Sequence, residues 1–501
     1  MPALSFALLR RFPRPRPLRT IASAPGVIVL LGLLSVLSST PAAAVADKLP
    51  EPVTKALRLN KLTSDDLSVY VREVTSATPL LVHNDREPRI PASTIKLLTT
   101  IAGLGILGPT YKWSTRAFVT GPIIDGHLDG NLIIKGFGDP SLRPEDFWRF
   151  VWEIRARGLM TIGGDLIIDN SFFETPQAGR GDFDGKPHSS YNALPVALSV
   201  NFQTTQLQVR HAPDNNGLRV YTIPPLYGLE LINEMRAVNA PCQTKHHKPA
   251  VRIGQEDPIP VVRLTGSFST KCGETAYSRL LMSPETHAAS AFLALWQQMG
   301  GTVEGRVRAG IKPVNAELFH RQDSRTLSDV IRDINKWSNN LMTRTLFLTL
   351  GAERQGAPGS PAKGRAAITD WLTKQGIAIP GLMLDNGSGL SRNTRITAAG
   401  MGRLLSHAYT SPTMSELLSS LSIMGVDGTT HKRLKKHPLR GRAHVKTGTL
   451  RGATGIAGFV LDKLDRRWIV VSLINKPTMW SGGGKAVEDA LLRWIYDGAG
   501  R

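Results

Sequence analysis

Apolar and polar positions alternate over Leu67-Ser68-Val69-Tyr70-Val71-Arg72-Glu73-Val74, the two-residue period of a strand. Leu80-Leu81-Val82-His83 follows across a short turn and is placed to pair with it. The period then changes. After Pro91, Ile95, Leu98, Ala102 and Gly105 fall on one helical face, and Leu97, Ile101 and Leu104 fill the adjoining stripe, so a helix is predicted over residues 93–107. From about residue 112 to 275 the texture is β-rich. Leu132-Ile133-Ile134 and Leu166-Ile167-Ile168 read as buried strands among the turn pairs Asp125-Gly126, Asp129-Gly130 and Gly163-Gly164, with a helix over 144–157. Beyond Ser283-Pro284 helical patterns return over 288–299, and 326–350 reads as two helices separated by a break. The chain closes with strands over 444–450, 455–461 and 468–475, and a helix whose apolar face is Val487, Leu491, Trp494 and Ile495.

A strand pair near the start and three strands near the end can close into one antiparallel sheet covered by helices from the middle. The expected class is therefore α/β (α+β), with a split domain over 47–111 and 276–501 interrupted by one or two β-rich inserted domains over 112–275. At 501 residues the chain needs more than one core.

The first 46 residues read differently. Five arginines and no acid precede an apolar run over 27–37, and Pro41-Ala42-Ala43-Ala44-Val45-Ala46 follows. That order is a secretory signal peptide, and the run is shorter than the roughly 20 residues of a membrane span. Its removal lowers the formal charge from +21 to +16. Such a basic exported protein suits an anionic envelope, and no nucleic-acid-binding motif is present. Cys242 and Cys272 are the only cysteines, and an oxidising compartment favours a disulfide between them. Zinc is the alternative, because His246 and His247 stand nearby, but one Cys-x3-His-His with a distant cysteine is not a standard ligand spacing.

Three short motifs carry chemistry: Ser93-Thr94-Ile95-Lys96, Ser338-Asn339-Asn340 and Lys446-Thr447-Gly448-Thr449. A serine hydroxyl needs a base within hydrogen-bond reach to become a nucleophile. Residues three apart share a helix face, so Lys96 can reach Ser93. Lys96 acts as a base only if neutral, and burial and the charge of Lys446 both push it that way. Ser338 can relay a proton to a leaving amine, and Asn340 can bind a substrate carbonyl. Lys446 and Thr447 suit a terminal carboxylate, Gly448 admits a close substrate backbone, and the N–H groups of Ser93 and Thr449 can form an oxyanion hole.

This trio, in this order, occurs in serine enzymes that react with penicillin. The chain resembles the class C low-molecular-mass penicillin-binding proteins, the D-alanyl-D-alanine carboxypeptidase/endopeptidase family, over essentially all of 47–501. Gly136-Phe137-Gly138-Asp139-Pro140-Ser141-Leu142, Asp385-Asn386-Gly387-Ser388-Gly389-Leu390-Ser391-Arg392 and Gly425-Val426-Asp427-Gly428-Thr429 are similar to further family segments. The second carries one extra residue, Asn386. The resemblance implies a serine β-lactamase/DD-peptidase-like catalytic domain in the periplasm. It implies an acyl-enzyme mechanism on peptidoglycan stem peptides, covalent inhibition by β-lactams, and no metal or organic cofactor. Two rivals stand beside it. A serine β-lactamase shares the trio, but the glutamate run E-x-x-L-N of a class A enzyme is absent between Ser338 and Lys446. A non-enzymatic wall-assembly protein would not need the intact Ser93, Lys96, Ser338 and Lys446.

Overall fold

One sheet is buried on both faces, which is why its strands carry so few polar positions. The structure, a computed structural model, describes residues 48–498 apart from 213–216, 243–249 and 257–258. Residues 1–47, which hold the segment read as a signal peptide, and His246 and His247 lie outside the described residues. The sheet contains β1 (Leu67–Glu73), β2 (Leu81–His83), β3 (Ser422–Ile423), β4 (Ala443–Leu450), β5 (Ala453–Leu461) and β6 (Arg467–Asn475). Its order is β3-β4-β5-β6-β1-β2, antiparallel throughout. The two ends of the chain meet where Leu67 pairs with Ile474 and Glu73 with Trp468, as the strand pattern predicts.

Successive side chains of β6 alternate between two cores. Ile469, Val471 and Leu473 pack under α2 (Lys96–Leu107), α3 (Leu327–Trp337), α4 (Asn340–Gln355), α5 (Pro361–Lys374) and α6 (Ala398–Thr410). Trp468, Val470 and Ile474 face α1 (Glu51–Leu59) and α7 (Ser481–Gly498), which contribute Val53, Leu57, Val487, Leu491 and Ile495. Fully burying each such side chain stabilises by about 1.5–3 kcal/mol, so this double layer is the rigid platform of the molecule.

The chain between α2 and α3 builds separate cores. A five-stranded sheet runs Val307–Ala309, Leu166–Asp169, Leu132–Gly136, Lys112–Val119 and Glu317–Thr326 in spatial order. Helices Pro144–Ala156 and Pro284–Gln298 cover it through Phe147, Phe150, Phe292 and Trp296. The chain returns to this five-stranded sheet as late as Glu317–Thr326. Helical periodicity returns at Pro284, but that helix packs on the inserted sheet rather than on the split one, a choice periodicity cannot reveal. A further core is formed by two three-stranded sheets drawn from 205–279. Cys242 and Cys272 are joined there, Cα to Cα 4.9 Å apart. Among the described residues no helix is long and apolar enough to cross a membrane.

The disulfide closes a loop of sequence separation 30, which the chain-entropy account values at about 3–4 kcal/mol. Replacing both cysteines by serine should produce an earlier unfolding step in this module while the split domain melts unchanged. Peptide mass mapping without reductant that recovers two free thiols from envelope-purified protein would contradict the linkage.

Candidate active site

The helix predicted from residue 93 starts as a tight turn. Ala92–Ile95 is a 3₁₀ segment and α2 begins at Lys96. Ala92 holds a left-handed φ of 46°, a strained conformation for a residue with a Cβ. The Thr94 N–H and hydroxyl both donate to the Pro91 carbonyl, at 3.2 and 2.8 Å, and close the turn. Ser93 and Lys96 end up on the same side, and the Lys96 Nζ lies 2.9 Å from Ser93 Oγ.

Lys96 is fully buried. Its amine also donates to Asn340 Oδ1 at 2.7 Å and to the Ser388 carbonyl. Burial, and after it the nearby Lys446 charge, hold Lys96 well below the ordinary lysine range. Two of its three partners, the Asn340 and Ser388 carbonyl oxygens, can only accept. A neutral amine has two hydrogens and one lone pair. With both hydrogens tied to those oxygens, the lone pair faces the Ser93 hydroxyl.

The break expected within 326–350 falls at Ser338 and Asn339. Ser338 ends α3 in the left-handed region, φ 58°, and Asn339 caps α4 by accepting from Met342 N–H at 3.0 Å. This kink puts Asn340 at the head of α4, beside Lys96, and turns Ser338 Oγ toward Lys446, whose Nζ donates to it at 2.8 Å. Lys446 comes from β4, is fully buried, and also donates to the Thr447 carbonyl at 2.8 Å. Burial pushes its pKa down to about 7. Thr447 Oγ1 lies 2.7 Å from Thr429 Oγ1, and Thr449 is exposed near the hairpin end of β4.

Gly448 has a close neighbour within the protein. A Cβ there would sit 2.6 Å from the Pro91 carbonyl oxygen and 2.9 Å from Ser93 N. Only glycine lets β4 run against the turn of Ser93, which brings the Ser93 N–H beside the strand that carries Thr449.

Several contributors were not legible as site residues. Ser388 contributes its carbonyl rather than its hydroxyl. That hydroxyl donates to Asn386 Oδ1 at 2.8 Å, and Asn386 Nδ2 donates to the Leu390 carbonyl at 2.9 Å. The extra residue therefore braces the loop that holds Lys96. Gly389, at φ 80°, lets that loop reach the Ala92 carbonyl. Thr429 arrives on a turn held by Asp427, which bonds Lys336 at 2.5 Å and accepts from Ile423 N–H at 2.7 Å. The insertion reaches the site through Tyr191, whose carbonyl accepts from Asn340 Nδ2 at 3.4 Å. Backbone carbonyls leave no trace in residue type. The 385–392 and 425–429 runs were the available signals.

Residues 49–496 match the D-Ala-D-Ala carboxypeptidase 3 (S13) family. The chain is 28% identical over 447 residues to a D-alanyl-D-alanine carboxypeptidase of Actinomadura sp., covering 85% of this chain and 82% of that protein. It is 30% identical over 458 residues to carboxypeptidase DacB of Mycolicibacterium smegmatis, covering 86% and 81%. The crystal structure of penicillin binding protein 4 (dacB) from Haemophilus influenzae superposes with a TM-score of 0.74 at 23% identity, covering 89% of this chain and 99% of that one, a likeness of fold.

The lowered lysine pKa has a consequence for stability. Lys446 titrates near 7 when folded and near 10.5 when unfolded. Between those values the unfolded chain binds more protons, so stability from this group is lowest below about pH 7 and rises toward pH 10.5. Against Lys446→Met, which has no such group, the melting-temperature difference should move in favour of the wild type by on the order of 5 °C across that window. Parallel melting curves of the two proteins would exclude the shifted titration.

Proposed function

The chain belongs to the D-Ala-D-Ala carboxypeptidase 3 (S13) family, and from that premise we propose that it is an exported serine DD-peptidase acting on D-alanine-terminated stem peptides of peptidoglycan. The observation that carries this reading is the buried Lys96 amine, 2.9 Å from Ser93 Oγ with its other partners restricted to acceptors.

In this reading Ser93 Oγ attacks the carbonyl carbon of the penultimate D-alanine while its proton passes to Lys96. The developing oxyanion faces the N–H groups of Ser93 and Thr449. Collapse breaks the C–N bond, and the proton reaches the leaving D-alanine amine through Ser338. Water then hydrolyses the Ser93 ester. Lys446 and Thr447 receive the terminal carboxylate, and Asn340 Nδ2 binds a carbonyl of the stem peptide. A crosslink between D-alanine and meso-diaminopimelate presents the same acyl group with a different leaving amine, so endopeptidase action follows from the same chemistry. A β-lactam enters by the same attack, but its amine stays tethered to the acyl group and obstructs water. With no E-x-x-L-N glutamate after Ser338, that adduct persists, which separates this reading from a β-lactamase. Secretion to the periplasm supplies the compartment where such substrates lie.

A fluorescent penicillin should label the protein one-to-one and survive denaturation. Ser93→Ala should abolish labelling and Lys96→Ala should slow it by several orders of magnitude. A label mapped to another residue, or peptide hydrolysis that survives Ser93→Ala, would overturn the mechanism.

Carboxylate capture needs Lys446 as an ammonium. With its pKa near 7 in the free protein, kcat/KM on peptides ending in a carboxylate should fall as pH rises past about 7. Lys446→Ala should lose roughly 30- to 1000-fold in kcat/KM, about 2–4 kcal/mol of transition-state stabilisation, and should lack that limb. Wild-type rates that are equal on amidated and free peptides would remove Lys446 from this role.

A further inference from the structure

The segment between the Gly425-Val426-Asp427-Gly428-Thr429 turn and β4 reads His431-Lys432-Arg433-Leu434-Lys435-Lys436-His437-Pro438-Leu439-Arg440-Gly441-Arg442, with six basic side chains and no acid. The peptidase chemistry uses none of them. This segment and α7 line a shallow, open groove of about 600 Å³.

Arg433 fixes the segment in place. Its guanidinium is nearly buried and bonds Asp489 Oδ1 at 2.6 and 3.0 Å and Glu488 Oε2 at 2.9 Å. Asp489 is the one acidic residue lining the groove, and this ion pair consumes its charge. Lys432, Lys435, Lys436, Lys485 and Arg493 are exposed around it, and among the described residues none of the five forms an ion pair. Like charges so close repel unless an anion screens them.

An aromatic side chain stands at the rim. Trp480 is 77% exposed. Its ring lies over Gly482, a groove-lining residue, where an added Cβ would come within 2.1 Å of it. An indole left in water beside unpaired lysines is the pairing of an interfacial anchor, apolar ring at headgroup depth and cations among phosphates. A soluble polyanion would use the lysines but would leave the indole unexplained.

We propose that this groove, with Trp480, is a docking surface for an anionic phospholipid bilayer, holding the enzyme peripherally at the membrane. The proposal rests on the envelope reading above. Five cations, each strengthening attachment to an anionic leaflet severalfold, suffice for reversible attachment without a membrane span. The nearest catalytic-domain neighbours of the segment are Thr429 and Lys446 in sequence, so docking and the active site share one stretch of chain.

The test uses residues 47–501, which hold the whole family match without the apolar N-terminal run. Sedimentation with phosphatidylglycerol-containing vesicles should show binding that pure phosphatidylcholine vesicles lack and that salt reverses. Lys432→Gln/Lys435→Gln/Lys436→Gln should weaken it by roughly 100-fold. The helix variant Lys485→Gln/Arg493→Gln, independent of the basic segment, should weaken it by at least about tenfold. Trp480→Ala should remove the vesicle-induced blue shift of tryptophan emission. D-Alanine release from a soluble pentapeptide, measured on the same samples, should be unchanged, which separates failure of docking from failure of the peptidase reading. Equal binding to neutral vesicles, binding insensitive to both charge variants, or binding to isolated peptidoglycan in place of vesicles would overturn the proposal.

Discussion

Two buried lysine amines lie close enough for the charge of one to lower the pKa of the other, and the arrangement around them depends on that pairing. Lys96 and Lys446 are both fully buried, and burial disfavours the charged form of each. Their neighbours do the rest. Lys96 meets two carbonyl oxygens and a serine hydroxyl, and Lys446 meets a serine hydroxyl and a carbonyl. No carboxylate approaches either amine among the described hydrogen bonds. A carboxylate at either contact would favour the ammonium form.

Holding those amines requires segments far apart in sequence to meet within hydrogen-bond reach, and the backbone is bent to allow it. Ala92 and Ser338 both take left-handed conformations, each at a cost of about 1–3 kcal/mol. Gly448 and Gly389 give up their side chains so that a strand and a loop can touch the turn of Ser93. Such strain persists because the sheet beneath is packed on both faces by two independent cores. The insertion adds the Tyr191 carbonyl at the rim of Asn340, so the added domains border the site as well as extending the molecule.

Charge is distributed by the same logic. Two largely buried cations outside the site meet acids, Arg433 with Glu488 and Asp489 and Lys336 with Asp427. The two lysines inside the site meet none among the described hydrogen bonds. On the surface of α7 and the segment before β4, Lys432, Lys435, Lys436, Lys485 and Arg493 form no ion pair among the described residues.

Local pattern by itself determined the elements and suggested the chemistry of the trio. An alternating run marked β1, apolar runs marked β4, β5 and β6, period-3.6 runs marked α2, α3 and α4, and Ser93, Lys96, Ser338, Asn340, Lys446, Thr447, Gly448 and Thr449 could be proposed because side-chain type and spacing suggest them. Only the tertiary structure decided what touches them. Ser388 and Tyr191 contribute carbonyls, which every residue owns and no residue type announces. Asn386 and Thr429 matter through bonds within and between loops, whose partners are set by folding. Helix 284–298 reads the same whether it covers the split sheet or the inserted one, because amphipathic period reports that a face is buried and not against what. Gly448 shows the same limit at one atom: its sequence context pointed to a close approach, and only the packed strand showed that the neighbour is the turn of Ser93.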